Sequence, residues 1–147
     1  MKSPVIFEAG MTRYILAYIS TLIVFLALDF VWLSSTANTL YRPILKDILL
    51  PDFRLAPALV FYLLFVLGLV IFGISAGLRS GNWTDALLYG ALFGFFTYAT
   101  YDLTNQATLR NWETKLTVID MLWGTFLGGA ASTAGFLISG WLERFIR

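Results

Sequence analysis

The distribution of apolar residues constrains this chain most. Four apolar runs, at about 14–34, 55–78, 85–106 and 116–142, are separated by shorter polar stretches. Each is close to the ~20 residues a helix needs to cross a bilayer. A backbone in hydrocarbon must satisfy its own N–H and C=O groups, and a helix does so within one segment. The expected fold is therefore all-α: a four-helix transmembrane bundle, one integral-membrane domain over residues 1–147. Composition agrees. Only 13% of residues are charged and 59% are hydrophobic, with mean hydropathy +0.77. Soluble domains carry about 25% charged residues.

The first run could be mistaken for a signal peptide, because Ser35-Thr36-Ala37 resembles a cleavage region. Asp29 and Trp32 sit badly in such a segment and the run is too long, so a retained span is expected. Residues 1–12, with Lys2 and Glu8, read as an interfacial tail. In the stretch 37–54, Ile44, Leu45, Ile48 and Leu49 recur with helical spacing between Pro43 and Pro51. That pattern predicts a short helix over 41–50 lying in the membrane interface. Trp141, Glu143 and Arg144 close the last run as an interface anchor.

Three runs carry G-x-x-x-G, at Gly73/Gly77, Gly90/Gly94 and Gly124/Gly128. Small residues four apart let helix backbones approach closely in lipid. Packing inside the bundle is the first reading, and a homodimer or a larger membrane complex would use any pair left over. Orientation is not decided by charge. Lys2, Arg13, Arg79, Arg144 and Arg147 fall on one side; Arg42, Lys46, Arg54, Arg110 and Lys115 fall on the other. The positive-inside comparison is a tie.

The chain has no Cys and no His. That removes disulfides, thiol nucleophiles, haem ligation by His and the usual zinc sites. No cofactor is expected, and any bound cation would take oxygen ligands from carboxylates. A net charge of +1 gives no reason to expect a nucleic-acid partner.

Asp29, Asp102 and Asp120 lie inside apolar runs. A charge at the centre of a membrane helix costs ~2.5–3.5 kcal/mol on the mildest scale, so such residues usually mark function. The runs alternate in direction, so all three acids fall near one membrane boundary. At 100° per residue, Asp29 shares a face with Tyr14, Tyr18, Phe25 and Trp32; Asp102 with Phe95, Tyr98, Asn105 and Gln106; Asp120 with Trp123, Gly124 and Leu127. These faces should point into the bundle. The candidate binding residues are Asp29, Trp32, Tyr98, Tyr101, Asp102, Asn105, Gln106, Asp120 and Trp123. The spans hold no Lys or Arg to pair with the acids. Protonation, a bound cation or a base reaching in from a loop must compensate, and Arg42, Arg110 and Lys115 lie on the correct side. The bland alternative is that the acids only fix helix packing and that Trp32, Trp112 and Trp123 form an interfacial belt. Thr97, Thr100 and Thr104 lie on another face and are expected to bond their own helix backbone.

Leu28-Asp29-Phe30-Val31-Trp32-Leu33, Phe61-Tyr62-Leu63-Leu64-Phe65, Tyr98-Ala99-Thr100-Tyr101-Asp102-Leu103-Thr104-Asn105 and Asp120-Met121-Leu122-Trp123-Gly124 together resemble an uncharacterised family of small bacterial membrane proteins. The resemblance runs from about residue 14 to about residue 140. It implies a bacterial inner (cytoplasmic) membrane location and carries no established activity. The chain is similar in class to the tryptophan-rich sensory proteins, but it has four spans and lacks their W-x-P-P run.

The first functional expectation is an intramembrane carboxylate and aromatic pocket that binds a lipid-like or amphiphilic small molecule. The second is a lipid-modifying enzyme using Asp residues as acid and base, or as ligands of a divalent cation. The third is an accessory subunit of a larger membrane complex. A cation-coupled transporter is weaker, because four helices leave little room for a pathway.

Overall fold

The computed structural model describes residues 4–146, with side chains from Gly10 onward. Lys2, Arg147 and the Glu8 side chain lie outside the described residues. Among the described residues six α-helices occur: α1 Pro4–Thr36, α2 Arg42–Leu45, α3 Leu55–Gly68, α4 Ser75–Ser80, α5 Trp83–Thr108 and α6 Thr114–Ile146. A π-helical turn, Leu69–Ile74, joins α3 to α4 as one rod. The long elements are thus four rods in a bundle, and no strand occurs among the described residues.

The pattern of burial is that of a protein in lipid. Phe30, Leu64, Phe72, Phe96 and Leu122 point outward, whereas Thr21, Asp102, Ser132 and Ser139 are fully buried. Apolar exposure spread over every rod would be an aggregation hazard in water and is ordinary in hydrocarbon. Among the described residues, three helical stretches are long and apolar enough to cross a membrane: Gly10–Ile48, Leu55–Ser80 and Thr114–Ile146. The 26-residue α5 has the length, but Thr97, Thr100, Asp102, Thr104, Asn105 and Gln106 dilute its apolar character.

Helix α1 covers the described residues from Pro4 onward, so most of the expected tail is helical. At its other end, α1 runs through a π turn, Ala37–Tyr41, directly into α2, and a 3-10 turn follows at Lys46–Ile48. The short helix expected over 41–50 is therefore shorter and continuous with the first rod. Ile44 and Leu45 do not face the membrane surface. They pack with Leu40 on Trp112 and Leu116, and Ile48 and Leu49 stay exposed. Lys46, at φ +47°, ends the helix, so the two halves of the apolar stripe leave their common face.

At the opposite end, Gly81 turns the chain with φ +74° and donates its N–H to the Gly77 carbonyl at 2.8 Å. Asn82 then caps α5 by accepting the Thr84 N–H at 3.1 Å. Helices α5 and α6 meet through glycine. A Cβ on Gly94 would overlap the Gly124 carbonyl, and one on Gly128 would overlap the Gly90 carbonyl. Gly73 approaches Gly90 and Ser132, and Gly77 approaches Ala86 and Phe136. All three G-x-x-x-G pairs are thus engaged within the chain. Phe25, Phe65, Val66, Leu69, Leu127 and Ala131 form the central core beside this glycine seam.

Candidate functional site

The three membrane acids lie within about two helical turns of the same end of the bundle. Asp29 comes from the last part of α1, Asp102 from the last part of α5 and Asp120 from the first part of α6. All three are buried. Their surroundings differ, and the differences separate their roles.

Asp29 is held by two donors. The Tyr62 hydroxyl of α3 donates to its Oδ2 at 2.7 Å, and the Trp123 indole of α6 donates to its Oδ1 at 3.4 Å. Asp120 is held by a relay from the π turn. The Trp32 indole donates to the Tyr41 hydroxyl at 2.9 Å, and that hydroxyl donates to Asp120 Oδ1 at 2.5 Å. The turn gives this stretch a helical pitch different from that of α1, and Tyr41 meets an acid 79 residues away. Trp32 and Trp123 stack face to face, with ring centroids 4.4 Å apart and planes 6° apart. One indole of this pair serves each acid.

Asp102 is different. It is fully buried, and no donor among the described residues reaches either oxygen. Its polar neighbour is the carboxyl group of Asp120. Asp120 stands next to Asp102 and in the electrostatic field of Asp29.

A cavity of about 370 Å³ opens beside this network. Of the candidate binding residues, Asp29, Asp120, Trp32, Trp123, Tyr98 and Tyr101 line it. Asp102, Asn105 and Gln106 do not line it. Asp102 is fully buried next to Asp120, Asn105 neighbours Tyr101, and Gln106 donates to Thr114 at 2.7 Å on an exposed edge. Tyr41, Tyr62, Phe61, Phe65, Thr97 and Leu33 complete the wall. Of these, Tyr41 and Tyr62, which hold Asp120 and Asp29, are the candidate side chains that sequence reasoning passed over. Their only signal was a hydroxyl at the same end of the bundle as the acids. The rim is apolar, with Leu33, Phe61 and Tyr101 exposed.

Arg42, Arg110 and Lys115 stay exposed. The ion pair among the described residues is Arg13 with Glu143 at 3.6 Å, at the other end of α1. No group of three His, Cys, Asp or Glu side chains able to hold a metal ion occurs among the described residues. Trp112 is buried and donates to Thr117 at 3.0 Å, so it packs inside the bundle instead of marking an interface. Thr97, Thr100 and Thr104 all donate to backbone carbonyls of α5, as their spacing predicts.

Apolar rods with outward-facing hydrophobic side chains and a buried acid network define a multi-pass helical membrane protein. The chain belongs to the family described as "Predicted membrane protein (DUF2177)", which it matches over residues 14–137. All three acids and both stacked tryptophans fall in that span. No curated protein and no solved structure matches the chain.

Proposed function

We propose that this protein, in a bacterial cytoplasmic membrane, binds a lipid-like amphiphile in the cavity beside Asp29 and Asp120. One observation carries the reading: the cavity is walled by aromatic rings, yet two buried carboxyl groups face it. Clefts of about 300–1,000 Å³ with apolar walls and a few placed polar groups are the usual form of a small-molecule site. The apolar rim at Leu33, Phe61 and Tyr101 favours entry from the hydrocarbon, with the chain of the ligand remaining in lipid. Tyr41 and Tyr62 hold the acids in place before the ligand arrives, which lowers the ordering cost of binding.

Native mass spectrometry of the protein in nanodiscs with total lipid extract tests this. The expected result is one retained small molecule, lost in Leu33→Trp, where the larger ring narrows the mouth without touching an acid. Equal spectra for wild type and variant would refute the reading. The same wall could serve a lipid-modifying enzyme, with Asp29 and Asp120 as acid and base. Conversion of the retained molecule during the experiment would put that reading first.

A further inference from the structure

The charge balance of the cavity says what kind of polar group it takes. Asp29 and Asp120 face it, and no basic side chain does. Arg42, Arg110 and Lys115, at the same end of the bundle, are exposed and pair with neither acid. A phosphate head would meet carboxylates with no compensating Lys or Arg, and burying like charges together is strongly unfavourable.

The donor count points the same way. A carboxylate offers about four acceptor positions on its two oxygens. Asp120 receives one bond from Tyr41, and Asp29 receives one from Tyr62 and a long one from Trp123. Acceptor capacity is left over on both acids. The rings of Trp32, Trp123 and Tyr98 line the same space. Aromatic faces attract cations through their quadrupole, and the attraction strengthens when the cation is desolvated.

Resting on the binding reading above, we infer that the occupant is an amphiphile whose head is a phosphate-free cation, an alkylammonium in chemical class. The ammonium sits between Asp29 and Asp120 against the indoles, and its hydrocarbon chain leaves past Leu33 and Phe61. A primary ammonium donates hydrogen bonds to both carboxylates and brings a positive charge to a site that has none of its own.

The test compares four probes on the full chain in maltoside micelles, read by tryptophan fluorescence: dodecylammonium, dodecanol, laurate and lysophosphatidylethanolamine. Dodecylammonium should bind at least tenfold tighter than the other three. Asp29→Asn and Asp120→Asn, nearly isosteric, should each weaken dodecylammonium at least tenfold and leave dodecanol unchanged. Leu33→Trp should weaken dodecylammonium and dodecanol alike, and it covers the case in which an Asn variant fails to fold. Lysophosphatidylethanolamine binding as tightly as dodecylammonium would overturn the exclusion of phosphate and make an amine-headed membrane lipid the source. Equal binding of dodecylammonium and dodecanol, insensitive to both Asn changes but sensitive to Leu33→Trp, would overturn the cation and leave the cavity reading standing. Binding of no probe, or binding insensitive to Leu33→Trp, would overturn both.

Discussion

Replacing Gly94 by alanine should destabilise the bundle more than its single methyl group suggests. The added Cβ would be driven into the Gly124 carbonyl, well inside the ~3.5 Å at which heavy atoms touch favourably. The obstacle is backbone, so no rotamer change relieves it, and α5 must move away from α6. Overpacking of this kind typically costs 1–3 kcal/mol, and a backbone clash places Gly94→Ala near the upper end, at about 2–3 kcal/mol. Movement along this seam would also disturb Tyr98, whose ring lies directly over Gly124. The control is Gly10→Ala, where a Cβ meets nothing within 4 Å. There alanine should gain up to about 1 kcal/mol, because it loses less backbone entropy in a helix. Reversible unfolding by sodium dodecyl sulfate in mixed micelles, followed by tryptophan fluorescence, measures both. Gly94→Ala unfolding at the wild-type detergent fraction would refute the close seam.

Three further outcomes follow from the same geometry. Tyr41→Phe leaves the Trp32 indole without its acceptor and Asp120 without a donor, and should cost about 1–3 kcal/mol in that assay. Trp32→Leu or Trp123→Leu should each abolish the exciton couplet that two indoles stacked at 4.4 Å give in circular dichroism, and should cost about 0.5–1.5 kcal/mol beyond lost area. Asp102→Asn should keep the fold and gain about 1 kcal/mol or more in stability, because the amide brings a donor to a buried site where neither Asp102 oxygen has a hydrogen-bond partner. A loss of stability in Asp102→Asn would contradict the contact drawn between the two acids.

The rods were legible because their cause is local. Apolar runs of membrane length with short polar breaks leave few alternatives to a helical bundle. The glycine pairs were legible as packing sites, and the shared depth of the acids followed from counting residues along alternating helices. What escaped was rotation. At a fixed 100° per residue, Asp102 points as plausibly at a pocket as Asp120 does, yet Asp120 lines the cavity and Asp102 does not. The π turns at 37–41 and 69–74 break that fixed angle, and neither carries a residue pattern that announces it. Tyr41 therefore looked like the first residue of an interfacial helix, although it is the donor to Asp120. Tyr62 lay in an apolar stretch where a tyrosine reads as a packing residue until its hydroxyl is placed against Asp29.

The glycine seam also bears on how the chain is made. Helix α5 is too polar over its last turns to partition readily into a bilayer by itself, whereas α6 is apolar enough to do so. The four glycines bring the two backbones together, and the chain between them is only five residues, 109–113. Helix α5 would then settle in the membrane as one arm of a hairpin, after α6 has left the ribosome. A nascent chain halted between them would hold α5 at the membrane surface, where an engineered glycosylation site at its end would report the delay.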